Sequence, residues 1–325
     1  MPRLINLVPV DTSIDFMKRR LHALVLSVVL MVAAVVSLGV QQLNFGIDFA
    51  GGILVEARMP AEPDMGALRD RLNGLGLGAV SLTHIGEDAR DVMIRVQQPE
   101  DTTDEQESAA LKAIQGVLGD SVEYRRVELV GPKVGGELIE AGIWAVSLSI
   151  LAIVVYIWFR FEWQFAVGAM VALIHDVLIT LGLFSVLRLE FDLTTVAALL
   201  TLAGYSINDT VVVYDRVREK LRKFKKLALV DLLNLALNKT LSRTILTSLT
   251  TLIAVLSLLF LGGDVLRNFS AALAFGIIIG TYSTVYVAVP ILVYFDLRRE
   301  AVAGEDPEAE AGADGGPAPA DKAGG

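Results

Sequence analysis

Six long apolar runs, at 21–40, 139–159, 164–187, 193–215, 242–261 and 269–295, dominate the pattern of hydrophobic and polar positions along the chain. Each approaches the ~20 residues that an α-helix needs to cross a bilayer core, so the pattern predicts a polytopic α-helical membrane protein with six transmembrane helices. The first run follows Lys18, Arg19 and Arg20. It is long for the apolar stretch of a signal peptide and no small-residue cleavage pattern follows it, so it reads as an uncleaved anchor. Between the first two runs the periodicity changes. Residues 52–59, 79–85, 91–97 and 122–129 read as strands, whereas 63–75 and 103–118 read as helices, the second with apolar positions at helical spacing. The βαββαβ order predicts a ferredoxin-like α+β domain, with one core between a sheet and two helices.

Composition agrees with a membrane protein. With 54% hydrophobic and 20% charged residues, the chain falls short of the roughly one-quarter charged residues of a soluble domain, which excludes a soluble enzyme. The net charge of −9 is unevenly placed: 41–137 carries 17 acidic and 9 basic residues and 300–325 carries 7 and 1, so the remainder is positive. That balance suits loops facing an anionic leaflet and argues against nucleic acid as a partner. If six helices alternate, Arg3, Lys18 to Arg20, Arg160, the cluster from Arg216 to Lys226, Arg298 and Arg299 all fall on one side, opposite only Arg188 and Arg267. By the positive-inside rule both termini are cytoplasmic and the loop 41–137 is extracytoplasmic.

The expected order is therefore a cytoplasmic N-terminus at 1–20, a first span at 21–40, the exported domain at 41–137, and spans two to six within 138–299, interrupted by a basic cytoplasmic loop at 216–241. A Gly-, Ala- and Pro-rich acidic tail at 300–325 has too little apolar content to bury a core and reads as disordered. Within 227–241, Asp231, Asn234 and Asn238 share one helical face of an otherwise apolar stretch, which predicts an interfacial amphipathic helix. The chain has no cysteine, so disulfides and sulfur-bound metal are excluded. His84 sits in a strand and reads as structural.

Candidate chemistry lies inside the spans. A charged side chain at bilayer depth costs at least ~2.5 kcal/mol on insertion scales, which singles out Asp176 beside His175, Asp209 beside Asn208, and Arg243. Asp209 lies ~9 Å from the end of its span, and Arg243 opens the next one from the same side, amid Ser242, Thr244, Thr247, Ser248, Thr250 and Thr251. Asp209 and Arg243 read either as a proton-coupling pair, whose protonation changes as they approach and separate, or as an ion pair that only joins helices. Arg243 alone could reach the headgroups as ordinary interfacial charge, and His175 with Asp176 could be a polar contact between helices. No nucleotide-binding loop, metalloprotease motif or nucleophile motif is present. Neither a metal nor a cofactor is expected; an ion gradient remains, worth about 3.5 kcal/mol per proton at ~150 mV. Gly276 and Gly280 form a G-x-x-x-G face suited to close helix packing.

Five ordered motifs carry a resemblance: FGIDFAGG at 45–52, VGPKVGGEL at 130–138, ALIHDVLIT at 172–180, GYSINDTVVVYDR at 204–216 and LSRTILTS at 241–248. Together they resemble the SecD/SecF protein-export family, which is related to the RND exporters, and the short exported loop is similar to that of the SecF branch rather than SecD. The resemblance implies a six-span half-transporter without ATPase activity in the bacterial cytoplasmic membrane. It would pair with SecD beside the SecYEG channel, with YajC and YidC as further candidate partners. It implies that the proton motive force, with the proton as coupling ion, drives preprotein export after SecA has acted. Matched motif to motif, the family's intramembrane Asp and Arg fall on Asp209 and Arg243, with Asn208, His175, Asp176 and Thr247 as supporting polar residues. Asp48, Gly51 and Gly52 in the first motif, and Gly131, Pro132 and Gly135 in the second, read either as turns at the membrane surface or as hinges that pass motion to the loop domain. An RND-like exporter of small molecules or lipids and a purely structural channel subunit stay open as alternatives.

Overall fold

The computed structural model describes residues 12–85, 88–99, 102–119, 121–295 and 297. The expected tail at 300–325, and Arg3, Arg298 and Arg299, lie outside the described residues. Six helical segments are long and apolar enough to cross a membrane: Met17–Val40, Lys133–Arg160, Trp163–Val186, Leu193–Lys223, Leu229–Leu261 and Val265–Tyr294. They contain helices α1 (Arg20–Val40), α5 (Pro132–Arg160), α6 (Trp163–Val186), α7 (Leu193–Lys223), α8 (Leu229–Leu261) and α9 (Gly263–Ser283). After α9 the last span continues as a π turn, Thr284–Ala288, and a short helix α10, Val289–Ile291. Pro290 explains the widening, because it has no N–H to give the carbonyl one α turn earlier and its ring crowds that carbonyl.

Three spans form the centre. α6, α7 and α9 have 50–61% of their apolar windows buried, whereas α1, α5 and α8 have 17% or less. The outer three therefore present most of their apolar surface to the surroundings. Small residues set the close contacts. A Cβ on Gly182 of α6 would stand 2.4 Å from the Ala34 Cβ of α1, and one on Gly276 of α9 would stand 2.6 Å from Leu202 of α7. Gly280 meets Ser206 one turn further on. The 276–280 glycine face is thus the α7–α9 contact.

The loop domain is a four-stranded antiparallel sheet of β2 (Gly52–Arg58), β3 (Ala79–His84), β4 (Asp91–Gln97) and β5 (Glu123–Val130), in the order β3-β4-β2-β5. Helices α3 (Met65–Asn73) and α4 (Asp104–Leu118) complete it. The Asp64 side chain caps α3, and Thr103 with Gln106 forms a capping box on α4. Ile53, Val55, Leu72, Ile94 and Ile114 are fully buried between sheet and helices. Gly52 is required where β2 begins, since its φ is +123° and a Cβ would lie 2.3 Å from the Val96 carbonyl oxygen.

Several helices outrun their apolar signal. α5 begins at Pro132 rather than 139, with Gly131 as its cap and proline at its first position, where the missing N–H costs nothing. α7 continues through the basic cluster to Lys223. The anticipated loop 216–241 shrinks to the connection 224–228, and 227–241 is not a separate interfacial helix, because α8 runs unbroken from Leu229 to Leu261. Its polar face is covered by the chain's own N-terminal segment instead of headgroups. Asn238 Oδ1 accepts from the Ile14 amide at 2.8 Å while its Nδ2 donates to the Ile14 carbonyl at 2.8 Å. Asn234 Oδ1 accepts from the Met17 amide at 3.0 Å. The amides thus replace a backbone partner for the segment leading into the first span, and Phe16 and Met17 are buried beside them.

Two outcomes are expected. Asn238→Ala takes the Asn238 partner from the Ile14 amide and leaves the Ile14 carbonyl only the Phe16 amide, a loss of about 0.5–1.5 kcal/mol per bond at this half-exposed residue, and a cysteine placed at position 14 should then alkylate faster than in the parent. Gly52→Val should force β2 away from β4, which limited proteolysis of the loop domain would register as new cleavage between 52 and 97.

Candidate functional site

Asp209 lies midway along α7 and is 7% exposed. Its Oδ1 accepts from the Thr244 hydroxyl of α8 at 2.7 Å, and its Oδ2 is buried without a hydrogen-bond partner among the described residues. Arg243 does not pair with it: among the described residues no ion pair joins the two. The reason is angular. Successive helical residues point about 100° apart, so with Thr244 aimed at α7, Arg243 is turned outward, exposed, into a hollow lined also by Val212, Asp215, Glu219 and Lys239. It stays one residue from the hydroxyl that donates to Asp209. A carboxylate with one bonded and one bare oxygen, and a cation one residue from its hydroxyl partner, can exchange partners by a small rotation of α8.

Asp176 and His175 occupy a second buried cluster, both 0% exposed. Asp176 Oδ2 accepts from Ser206 of α7 at 2.6 Å and from Ser283 of α9 at 2.8 Å, and Oδ1 lies 2.9 Å from His175 Nδ1. The central helices therefore meet at one carboxylate. One residue past Asp209, Thr210 shares a hydrogen bond of 2.9 Å with Thr284, the first residue of the π turn after α9. Of the other residues expected to support the site, Asn208 and Thr247 are exposed, and Thr247 bonds back to its own helix. Thr244, Ser206 and Ser283 join the acids in their place. Ser206, three residues before Asp209 and on the same helical side, is the one a spacing search around the aspartate would have found.

The motif glycines sit where the loop domain meets the bundle. Strand β1 (Asn44–Phe45) pairs in parallel with β6 (Glu190–Phe191), the residues just before α7. A short helix α2 (Ile47–Ala50) follows β1. Asp48 Oδ2 accepts from the Leu193 amide at 2.8 Å, capping α7 from outside, while Asp192 Oδ1 accepts from the Thr195 amide at 2.7 Å. Arg95 of β4 forms an ion pair with Glu190. Gly135 is inside the first turns of α5 rather than in a turn between elements; a Cβ there would lie 2.7 Å from the Phe49 carbonyl oxygen, so its bareness admits α2. Gly51, with φ +71°, and Gly52 carry the chain from α2 into β2.

Comparison with known proteins places this architecture. The chain matches the family described as protein export membrane protein SecD/SecF, C-terminal, over residues 110–298, and the SecD/SecF GG motif over 36–59. It is 45% identical over 299 residues to protein translocase subunit SecF of Rickettsia conorii, covering 91% of this chain and 96% of that protein. Against SecF of Cereibacter sphaeroides the identity is 48% over 303 residues, covering 91% and 93%. The crystal structure of SecDF from Thermus thermophilus, described as a translocon-associated membrane protein, is similar with a TM-score of 0.78 and 36% identity over 89% of this chain. SecDF in a super-membrane-facing form gives a TM-score of 0.65 and 35% identity over 93%. The chain spans only 39% and 40% of those two SecDF chains. It belongs to the SecD/SecF family of protein-export membrane proteins. The relatives it matches along nearly their whole length are SecF subunits of the protein translocase, and its six apolar helices make it a multi-pass membrane protein.

The Asp48 cap gives a direct expectation. Asp48→Ala frees the first amide of α7 from a charged acceptor, a bond worth about 1.5–3 kcal/mol, so hydrogen exchange at amide 193 should accelerate by roughly tenfold or more while that of the α7 centre stays unchanged.

Proposed function

We propose that this chain is a proton-coupled subunit of the Sec translocase, which acts with SecD to drive preprotein export across the bacterial cytoplasmic membrane after the SecA-dependent step. The observation that carries this reading is the Asp209 site: a carboxylate within an apolar span, half satisfied by Thr244, with the Arg243 guanidinium close by and unpaired with it. Protonation of Asp209 removes its charge from a medium that penalises it. Loss of that charge also removes the carboxylate with which Arg243 could pair, so a proton entering from one side changes the α7–α8 relationship. The chain itself acts as a transport subunit and not as an enzyme.

The loop domain lies on the extracytoplasmic side in this reading, and both termini are cytoplasmic, as supported by the basic residues at the opposite end of the bundle. Its βαββαβ order and its four-stranded sheet support a ferredoxin-like domain. Pairing with SecD is supported by the SecDF structures, of which this chain spans two fifths, and by polar groups left uncovered at bilayer depth. Thr201 and Asn208 on α7 and Thr250 on α8 are exposed, and the Asn208 amide has no hydrogen-bond partner among the described residues. An amide in lipid is costly, so a second polar helical bundle suits this face better than acyl chains. SecYEG, and YajC and YidC with it, would be met outside that pair, with membrane lipids around the remaining apolar faces and the preprotein as cargo.

Export of a preprotein into inverted vesicles, with and without an uncoupler, tests the reading. Asp209→Asn and Arg243→Ala, expressed to the parent level and assembled with SecD, are each expected to lose at least tenfold of the gradient-dependent rate while the ATP-driven rate persists. Parent rates in both variants would reduce the two residues to packing groups.

A further inference from the structure

The Asp176 cluster has a feature that helix packing alone does not require. His175 is fully buried, its Nδ1 faces Asp176 Oδ1, and its Nε2 is buried without any hydrogen-bond partner among the described residues. A helix-joining aspartate needs only Ser206 and Ser283. The imidazole adds a proton-accepting atom and then leaves its far nitrogen bare, at the cost of an unsatisfied polar group in the interior. Tyr282 of α9 stacks on the imidazole with ring centroids 6.1 Å apart, and its hydroxyl is already committed to the Ala23 carbonyl and to Ser27 of α1. Nothing on that side therefore satisfies Nε2.

The possible charge states of the pair are few. With Nδ1–H donating to a carboxylate and Nε2 bare, the pair holds one proton and a net charge of −1. One further proton, added at Nε2, makes an imidazolium facing a carboxylate and a net charge of zero. Both states keep the Nδ1···Oδ1 contact, so the pair can change charge without moving. Tyr282 of α9 stacks on it and Tyr286 lies beyond on the same strip, while α7 also carries Tyr205 and Tyr214, α1 carries Arg20 and His22 in its first turn, and α5 carries Tyr156. On α7 there is Asp209, ~4.5 Å along the axis from Ser206. α1 offers Ser27 and Ala34 on this side, and α5 has no charged residue between Gly142 and Phe159.

We propose that His175 and Asp176 form a second proton-binding site in the centre of the bundle, loaded at His175 Nε2, whose occupancy is passed through Ser206 and Ser283 to the contact between α7 and α9. An imidazolium at His175 draws the carboxylate's charge toward Oδ1 and away from Oδ2, the oxygen to which both serines donate. With the pair at −1, both serines are held firmly and α6, α7 and α9 are drawn to one point. With the pair neutral, that hold weakens next to the π turn that starts at Thr284 and next to the Thr210–Thr284 bond, one residue from Asp209. The two sites thus share one helix contact. This inference rests on the proton-coupled reading for its purpose, and on the geometry of Asp176 and His175 for its existence.

The chain has three histidines, His22, His84 and His175. His22→Gln and His84→Gln, both at exposed positions, leave one imidazole to observe. The full chain, labelled with ¹⁵N-histidine and reconstituted in lipid with unlabelled SecD, is followed by solid-state NMR between about pH 5 and 8, where an imidazole changes charge. The expected result is that Nδ1 is protonated throughout and Nε2 passes from the bare to the protonated nitrogen range as pH falls, while in Asp176→Asn it stays bare. A wild-type Nε2 that holds one state over the whole range overturns the proposal and leaves a static polar contact; this readout needs no variant within the site, so a misfolded Asp176→Asn cannot obscure it. Asp209→Asn in the same preparation separates the two readings. Loss of gradient-driven export with the His175 step retained agrees with both, whereas unchanged export with the step retained refutes only the role of Asp209.

Discussion

The bundle is organised by two carboxylates, Asp176 and Asp209, buried within apolar spans. A carboxylate in a span has no solvent to turn to, so its acceptors must be met by groups on other helices, and those helices must come close enough to reach. Asp176 meets this requirement with hydroxyls from two neighbours, and the glycines at 276 and 280 give α9 the approach it needs to α7. Burial of α6, α7 and α9 at the centre is the geometric result. The outer helices carry no comparable demand and can present leucine and valine to their surroundings.

Much of this was legible in the chain as written. Runs of apolar residues located all six spans, because no other element needs so many uncharged residues in succession. Alternation and capping residues located the four strands and two helices of the loop domain to within a residue or two. Asp176 and Asp209 stood out because charge is so rare at their depth. What could not be read was direction. Arg243 and Asp209 lie at compatible depths, but depth says nothing of azimuth, and one residue of helical rotation gave the aspartate to Thr244 instead. Helix ends were also hidden, since α5, α7 and α8 run on through polar residues that carry no membrane signal.

Short-range patterns failed in a second way. The two-residue strands β1 and β6 are too brief to show any alternation, and their pairing joins residues 146 apart in sequence. The face bearing Asn234 and Asn238 was correctly seen as polar on one side, but polarity does not say whether headgroups or another stretch of chain will use it. Residues 12–17 supply backbone groups that an asparagine amide matches better than a phosphate would.

The helix α2 is only four residues long, ~6 Å from end to end, and so short a rod cannot bend. One side of it rests on Gly135, its Asp48 grips the start of α7, and two residues later the chain is already strand β2 of the loop domain. The first strand of the loop domain thus begins four residues after the side chain that caps the span carrying Asp209, so a single four-residue helix sets the spacing between sheet and span.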